Sequence, residues 1–226
     1  MSEAHTSSET VDADLRGAAP PTGPHTFVRC DLTGADLRGA DLYESVFTDC
    51  RLDGARLDGA VLDGARFCGG SAADASFAGA SCCETRFERL DLANTRWKGA
   101  LLTDAAFSGC RMTGAALTGL RGIGYAFESC NLMLARCQGI DLRGRALHGL
   151  RADEADLTGA DLRGTVWTES RLRGATLVSV RLDGADLRGA DLGEPTLEEA
   201  LHLRGAVITP AQAGTILAAL GITVTD

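Results

Sequence analysis

Long apolar runs are missing from this 226-residue chain: none approaches the length of a membrane span, and the N-terminus has neither the basic nor the apolar region of a secretory leader. A membrane protein is therefore not expected, and a cytoplasmic location is. Aromatic residues are scarce, at 5%, so the interior is expected to admit few rings. The eight Cys include no Cys-x-x-Cys pair, which argues against a zinc site and for reduced thiols that pack. His5, His25, His148 and His202 have no visible Cys or Ser partner, and no phosphate-binding loop is present. Carboxylates abound, but nothing gathers them into a pocket that excludes water. No enzyme activity, cofactor or metal is expected.

What the chain does have is a period. Phe27, Phe47, Phe67, Phe87, Phe107 and Phe127 recur every twenty residues, and Leu147, Trp167 and Leu187 continue the column. Inside it runs a period of five, marked from Phe27 through Leu32, Leu37, Leu42, Phe47, Leu52 and onward to Leu197, thirty-five units without insertion or loss. A five-residue period fits neither a helix nor a flat strand. The chain must turn a corner every five residues and, after four corners, stack on itself.

Each position in the unit has a physical reason. The large residue (Leu37, Leu42, Phe47) points inward and stacks on its equivalent one coil away. The residue two before it (Ala35, Ala40, Ala55) also points inward, where little more than a methyl or thiol fits; Cys30, Cys50, Cys110 and Cys130 share one such column. The unit often closes on Gly, as at Gly34, Gly39 and Gly54, which suits the positive φ of a type II turn. Where Glu44, Asp74, Glu84 or Asp104 stands instead, another turn type is expected. With coils ~4.8 Å apart, the rod is roughly 40 Å long.

The unit reads Ala35-Asp36-Leu37-Arg38-Gly39, Ala160-Asp161-Leu162-Arg163-Gly164 and Ala185-Asp186-Leu187-Arg188-Gly189. It resembles the pentapeptide-repeat family, with consensus Ala-Asp/Asn-Leu-x-x. The resemblance implies an all-β solenoid, a right-handed quadrilateral parallel β-helix with four repeats per coil, held together by contacts between neighbouring coils.

The ends differ. Residues 1–24, rich in Ser, Thr and Asp and closed by Pro20, Pro21 and Pro24, read as a disordered tail, although Ala13-Asp14-Leu15-Arg16-Gly17 is one repeat-like unit out of phase, which leaves a frayed extra turn as the alternative. The β-helix is assigned to 25–208, with a one-residue phase slip near Glu198–Ala200. Residues 209–226 form a C-terminal module: Thr209 as N-cap, Pro210 at the first helical position, Gln212 three after the cap, and Gly221 at the stop. Ile216, Leu217 and Leu220 make an apolar stripe on that short helix, and Ile222 and Val224 follow. These five are the candidate dimer interface, joining two rods end to end into a homodimer of roughly 90–100 Å. A bare cap on the last coil is the alternative.

The stretch Leu203-Arg204-Gly205-Ala206-Val207-Ile208-Thr209-Pro210-Ala211-Gln212-Ala213, with Leu217-Ala218-Ala219-Leu220-Gly221-Ile222, is similar to the end of the mycobacterial fluoroquinolone-resistance pentapeptide proteins (MfpA-like) and of the plasmid-borne Qnr proteins. That resemblance implies a C-terminal dimer whose rod imitates B-form DNA. It implies binding to DNA gyrase through its GyrA-type subunit, or to topoisomerase IV, and protection from quinolones or another topoisomerase poison, with no direct nucleic-acid contact. A scaffold or adaptor for some other protein, without a gyrase role, is the competing class.

Charge bears on the choice. The net charge is −9, of which the ends carry −5 and the rod only −4. Sorted by side, the Leu42 side is −4: Asp41, Glu44, Asp63, Glu84, Asp104, Asp141, Asp161 and Asp183 face Arg121, Arg143, Arg163 and Arg181. Those eight acids are the candidate partner-binding face. The opposite Leu32 side is −3, the Phe side close to neutral at +1 and the Leu37 side +2. Two acidic sides suit a saddle-shaped basic partner, and ordinary Asp–Arg pairing between coils is the alternative. One region breaks the pattern: Gly122 stands where a large inward residue belongs, and Tyr125 and Arg145 occupy small slots. A local bulge at 120–126 and an outward Arg145 are expected, because a buried unpaired Arg is costly.

Overall fold

A chain that turns every five residues can satisfy its backbone only by pairing with itself one coil away, and this is what the computed structural model shows for the residues it describes: 8–17, 19, 22–219 and 221–224. One side carries short strands: β1 (Ser8–Val11), β2 (His25–Val28), β3 (Val46–Thr48), β4 (Arg66–Cys68), β5 (Arg86–Glu88), β6 (Ala106–Ser108), β7 (Ala126–Glu128), β8 (Ala146–His148) and β9 (Val166–Thr168). They form one parallel sheet in sequence order, with partners such as Phe47 and Phe67 twenty apart. The other sides pair through single parallel bridges, such as Asp31↔Arg51, Asp36↔Arg56 and Asp41↔Val61. The fold is a four-sided parallel β-helix. Two further strands, β10 (Ser170–Arg171) and β11 (Ala190–Asp191), pair near its end, and two helices follow, α1 (Leu197–Leu201) and α2 (Pro210–Ala219). No described helix is long and apolar enough to cross a membrane.

The interior is two ring columns and a lining of Leu and Ala. Phe47 and Phe67 stack with centroids 4.5 Å apart, Phe87 and Phe107 at 4.6 Å. A second column, Phe77 on Trp97 at 4.1 Å, meets Phe87 edge to face, the geometry that aromatic quadrupoles favour. The buried Trp97 Nε1–H donates to Thr95 Oγ1 at 2.8 Å, and Thr95 Oγ1–H to Leu92 O at 2.7 Å. Thr165 serves Trp167 in the same way. Cys30, Cys50, Cys110 and Cys130 fill their shared inward column, and all eight Cys are free thiols. Burial pushes Cys50 up to about 11 and Cys137 to about 12, so these sulfurs stay protonated and pack as small apolar groups.

The turns share a positive φ whether or not they close on Gly. Glu44, Asp74, Glu84 and Asp104 keep the glycine's left-handed backbone, with φ of 52°, 60°, 57° and 54° against 67° at Gly34. The stack imposes it: Glu44 N–H donates to Asp63 O at 2.8 Å, as Gly34 N–H does to Asp53 O.

Both ends also differ from the sequence reading. β1 pairs with β2 in parallel, Thr10 opposite Phe27, and Asp14 bridges Asp31, so residues 8–17 lie on the coil rather than in a tail. The partners are seventeen apart, which is why the unit at 13–17 is out of phase. At the other end Leu197, counted as the last unit, opens α1 instead and is half exposed. Thr196 and Glu199 form a capping box there: Glu199 N–H donates to Thr196 Oγ1, and Thr196 N–H to Glu199 Oε2 at 2.7 Å. After this helix Asp186 bridges Val207, twenty-one apart, which is the one-residue slip.

Helix α2 begins as its sequence suggests. Gln212 N–H donates to Thr209 Oγ1 at 3.1 Å and Thr209 N–H to Gln212 Oε1 at 2.7 Å. Gln212 Nε2 also donates to Leu187 O and Ala190 O, at 2.8 and 2.7 Å, tying the helix to the last coil. At the far end Gly221 N–H reaches Ala218 O and Ile222 N–H reaches Leu217 O, the pair of bonds of a Schellman cap.

Candidate functional site

The Leu42 side holds the predicted acids, and the structure divides them. Asp41, Glu44, Asp63, Glu84 and Asp104 occupy its N-terminal half, where no Lys or Arg stands. None of the five takes part in an ion pair among the described residues. Asp63 Oδ1 accepts from Ser81 Oγ at 2.6 Å and from Cys83 N–H at 2.8 Å, which orients the carboxylate without neutralising it. Arg86, from the neighbouring Phe side, donates to the backbone carbonyls of Asp104 and Glu84 at 2.7 and 3.2 Å, not to their carboxylates. It braces the corner from which those acids project. Glu44, Glu84 and Asp104 sit at turn apices, where a left-handed φ costs a residue with a side chain about 1 kcal/mol or more.

The C-terminal half of the same side is different. Asp141 pairs with Arg143 at 2.6 Å, and Asp161 gathers Arg163 at 2.8 Å, Arg181 at 3.2 Å and Arg143 at 3.6 Å. Hydrogen bonds from Arg143 and Arg163 hold Asp141 and Asp161 below the usual carboxylate range. Asp183 is exposed, but this half carries more Arg than acid. The eight predicted residues therefore do not form one uniform face. The opposite Leu32 side is also largely paired, by Arg51–Asp53, Arg111–Asp91, Arg171–Asp153 and Arg173–Asp191. Both sides stay net acidic, as counted from the sequence, and the alternative of Asp–Arg pairing holds over the Leu32 side and the C-terminal half of the Leu42 side; the acids free of ion pairs gather on the other half.

The halves meet at the irregular turn. Arg121 bridges Leu101 below it, but no bridge to Asp141 above it forms among the described residues. Instead Asp141 N–H donates to the buried Tyr125 hydroxyl at 3.2 Å, a side chain standing in for the missing carbonyl. Arg145 is neither fully buried nor exposed. Ile123, at the tip, is 74% exposed. Sequence reasoning located the irregularity but not the exposed Ile123; the flanking Gly122 and Gly124 were the signal.

At the C-terminal end Ile216 and Leu217 are half-buried, Ile222 and Val224 are 49% and 60% exposed, and Leu220 lies outside the described residues. Leu201 and Val207 add apolar surface, 69% and 46% exposed. A cavity of about 490 Å³ opens between the last coils and α1, lined by Leu172, Leu177, Leu192, Pro195 and Leu203. It lies away from the acidic face.

Comparison with known proteins agrees with this architecture. The pentapeptide repeat region family matches residues 25–97, and the pentapeptide repeats family of eight copies matches 80–119 and 155–193. The structure is similar to that of HetL, a pentapeptide repeat protein involved in heterocyst differentiation regulation from the cyanobacterium Nostoc sp. strain PCC 7120, at 23% identity and TM-score 0.51, covering 80% of this chain and 86% of that one. QnrB1, a plasmid-mediated fluoroquinolone resistance protein, aligns over 97% of this chain and 98% of its own at 21% identity and TM-score 0.45. A pentapeptide repeat protein of the Arabidopsis thaliana thylakoid lumen aligns over 56% of this chain and 75% of its own, at 19% identity and TM-score 0.20. No curated protein sequence matches the chain. The two family matches together span more than half of a chain whose corners come every five residues, and the chain belongs to the pentapeptide-repeat family.

Proposed function

We propose that this protein is a DNA mimic that binds DNA gyrase through its GyrA-type subunit, or topoisomerase IV, and protects the enzyme from a quinolone or another topoisomerase poison. The observation that carries the reading is the set of five carboxylates on the N-terminal half of the Leu42 side, with no basic residue among them. Four coils separated by ~4.8 Å place them along roughly 14 Å of axis. That is about one charge per 3 Å, close to the ~3.4 Å spacing of phosphates along one DNA strand. A groove shaped to hold the gate duplex would meet a similar charge density on a rod of fixed shape, without bases to bend or pair. Half of one side suffices for this, and the arginine-paired remainder suits solvent.

The same reading takes the protein as a homodimer. Ile216, Leu217, Leu220, Ile222 and Val224 would meet their two-fold equivalents, with Leu201 and Val207 beside them, and double the length of the rod. The apolar exposure at that end supports this, since an isolated solenoid end of that character favours a partner.

The test is a gyrase supercoiling assay with and without a quinolone. The wild-type protein is expected to alter supercoiling and restore activity under drug. A variant carrying Asp41→Ala, Glu44→Ala, Glu84→Ala and Asp104→Ala is expected to do neither. No effect of the wild-type chain, or an undiminished effect of the variant, would overturn the proposal.

A further inference from the structure

We infer that Ile123 is an apolar anchor for the protein that binds the acidic half-face, and that the partner carries an apolar socket at the end of a Lys/Arg stripe. This rests on the reading of that half-face as a partner-binding surface, and adds what sets the partner's position along it.

A repeating rod poses a register problem. Carboxylates recurring with the coil spacing attract a basic stripe almost equally well after a slide of one coil, ~4.8 Å. Charge complementarity speeds encounter and rejects anionic partners such as nucleic acid or acidic lipid, but on a periodic surface it does not choose a register. A single non-repeating contact does. Ile123 is the most exposed large apolar side chain among the described residues, and it stands on the Leu42 side one coil beyond Asp104. Beyond it the arginine-paired half begins, so it marks the boundary of the bare acids.

The turn that carries Ile123 is built onto the acidic column. Gly122 and Gly124 have φ of 92° and 87°, which L side chains rarely adopt. A Cβ at 122 would fall 2.6 Å from Thr103 Oγ1, and one at 124 would fall 1.9 Å from Asp104 Oδ1. Backbone thus lies directly against the last acidic turn, and Asp104 N–H donates to Ile123 O at 2.9 Å. The ladder is closed toward the acids and open toward Asp141. The side chain is therefore presented from a fixed base, which lowers the ordering cost of burying it in a partner. An apolar anchor beside charges that steer is the arrangement of binding hot spots.

The experiment measures binding of the full chain to the GyrA-type subunit of DNA gyrase at low and moderate salt. It compares wild type, Ile123→Ser, Ile123→Leu and a Glu84→Ala/Asp104→Ala double variant. Losing a buried Ile should weaken binding about tenfold or more for Ile123→Ser. That loss should come through faster dissociation and be alike at both salt concentrations, while Ile123→Leu stays close to wild type. The acid variant should instead flatten the salt dependence. If Ile123→Ser binds within about twofold of wild type while the acid variant weakens, the anchor is refuted and the acidic face stands. If Ile123→Ser weakens and the acid variant does not, the anchor stands and the charge reading fails. Absence of binding by wild type removes both. Thermal unfolding of Ile123→Ser should match wild type because the side chain is exposed; if it does not, Ile123→Thr, which keeps the branched Cβ, replaces it in the comparison.

Discussion

The two halves of the Leu42 side share a fold, a period and a residue pattern, yet they differ in almost everything that a partner would sense. In the N-terminal half the carboxylates at Asp41, Glu44, Glu84 and Asp104 are bare, and the interior behind them is a stack of Phe rings reinforced by Phe77 and Trp97. In the C-terminal half Asp141 and Asp161 are bound up with Arg143, Arg163 and Arg181, and the Phe column gives way to Leu147, Trp167 and Leu187. Net charge per side, which averages the halves, hides this. A repeat can hold its geometry constant while changing its surface coil by coil, because only the two inward positions are constrained by packing.

The comparison breaks most visibly in the core. Phe87 stacks between Phe67 and Phe107 and meets Phe77 and Trp97 edge-on. Phe87→Ala should cost about 3–5 kcal/mol in denaturant unfolding. If it costs no more than Leu147→Ala in the other half, the aromatic stack adds nothing beyond its volume. A smaller effect tests the junction. Tyr125→Phe removes the hydroxyl that accepts from Asp141 N–H, and should cost about 1–3 kcal/mol if that amide finds no water. Hydrogen exchange at Asp141 should speed up in the same variant, and unchanged exchange would show that the hydroxyl is not its partner in solution.

The smallest effect concerns the paired half. Arginine contacts lower the folded-state pKa of Asp141 and Asp161, so their contribution is complete above the ordinary Asp value of about 4 and is lost as pH falls through the lowered values. Solvent screens exposed pairs of this kind, so each is weak. Arg143→Ala with Arg163→Ala should therefore flatten the acid limb of a stability–pH curve while lowering its neutral plateau only slightly. An unchanged acid limb would mean that the paired half owes nothing to its ion pairs.

Much of this was readable from residue order. Phe27 to Phe127 named the coil length, Thr209 and Gln212 named the start of α2, and the one-residue slip was visible near Glu198. The capping box at Thr196 and Glu199 was equally legible, but the continuing period through Leu197 masked it. The repeat-like Ala13–Gly17 signalled a coil, yet the loop behind it is three residues short, so its phase did not fit. The left-handed backbone at Glu44 and Glu84 ran against residue preference, because a bond to the next coil outweighs the local cost of a side chain at positive φ.

By itself the sequence determined the periodic part of this protein: which residues point inward, how many make a coil, and where the regular stack fails. These follow from steric and apolar constraints that act identically in every coil and so leave a trace at a constant spacing. Only the tertiary structure decided which carboxylates are spent on arginines and which remain bare, that the Tyr125 hydroxyl replaces a lost carbonyl, and that Ile123 faces solvent. Those outcomes depend on which side chains meet across coils, twenty residues apart and at the tips of long rotamers, where spacing along the chain carries no record of contact.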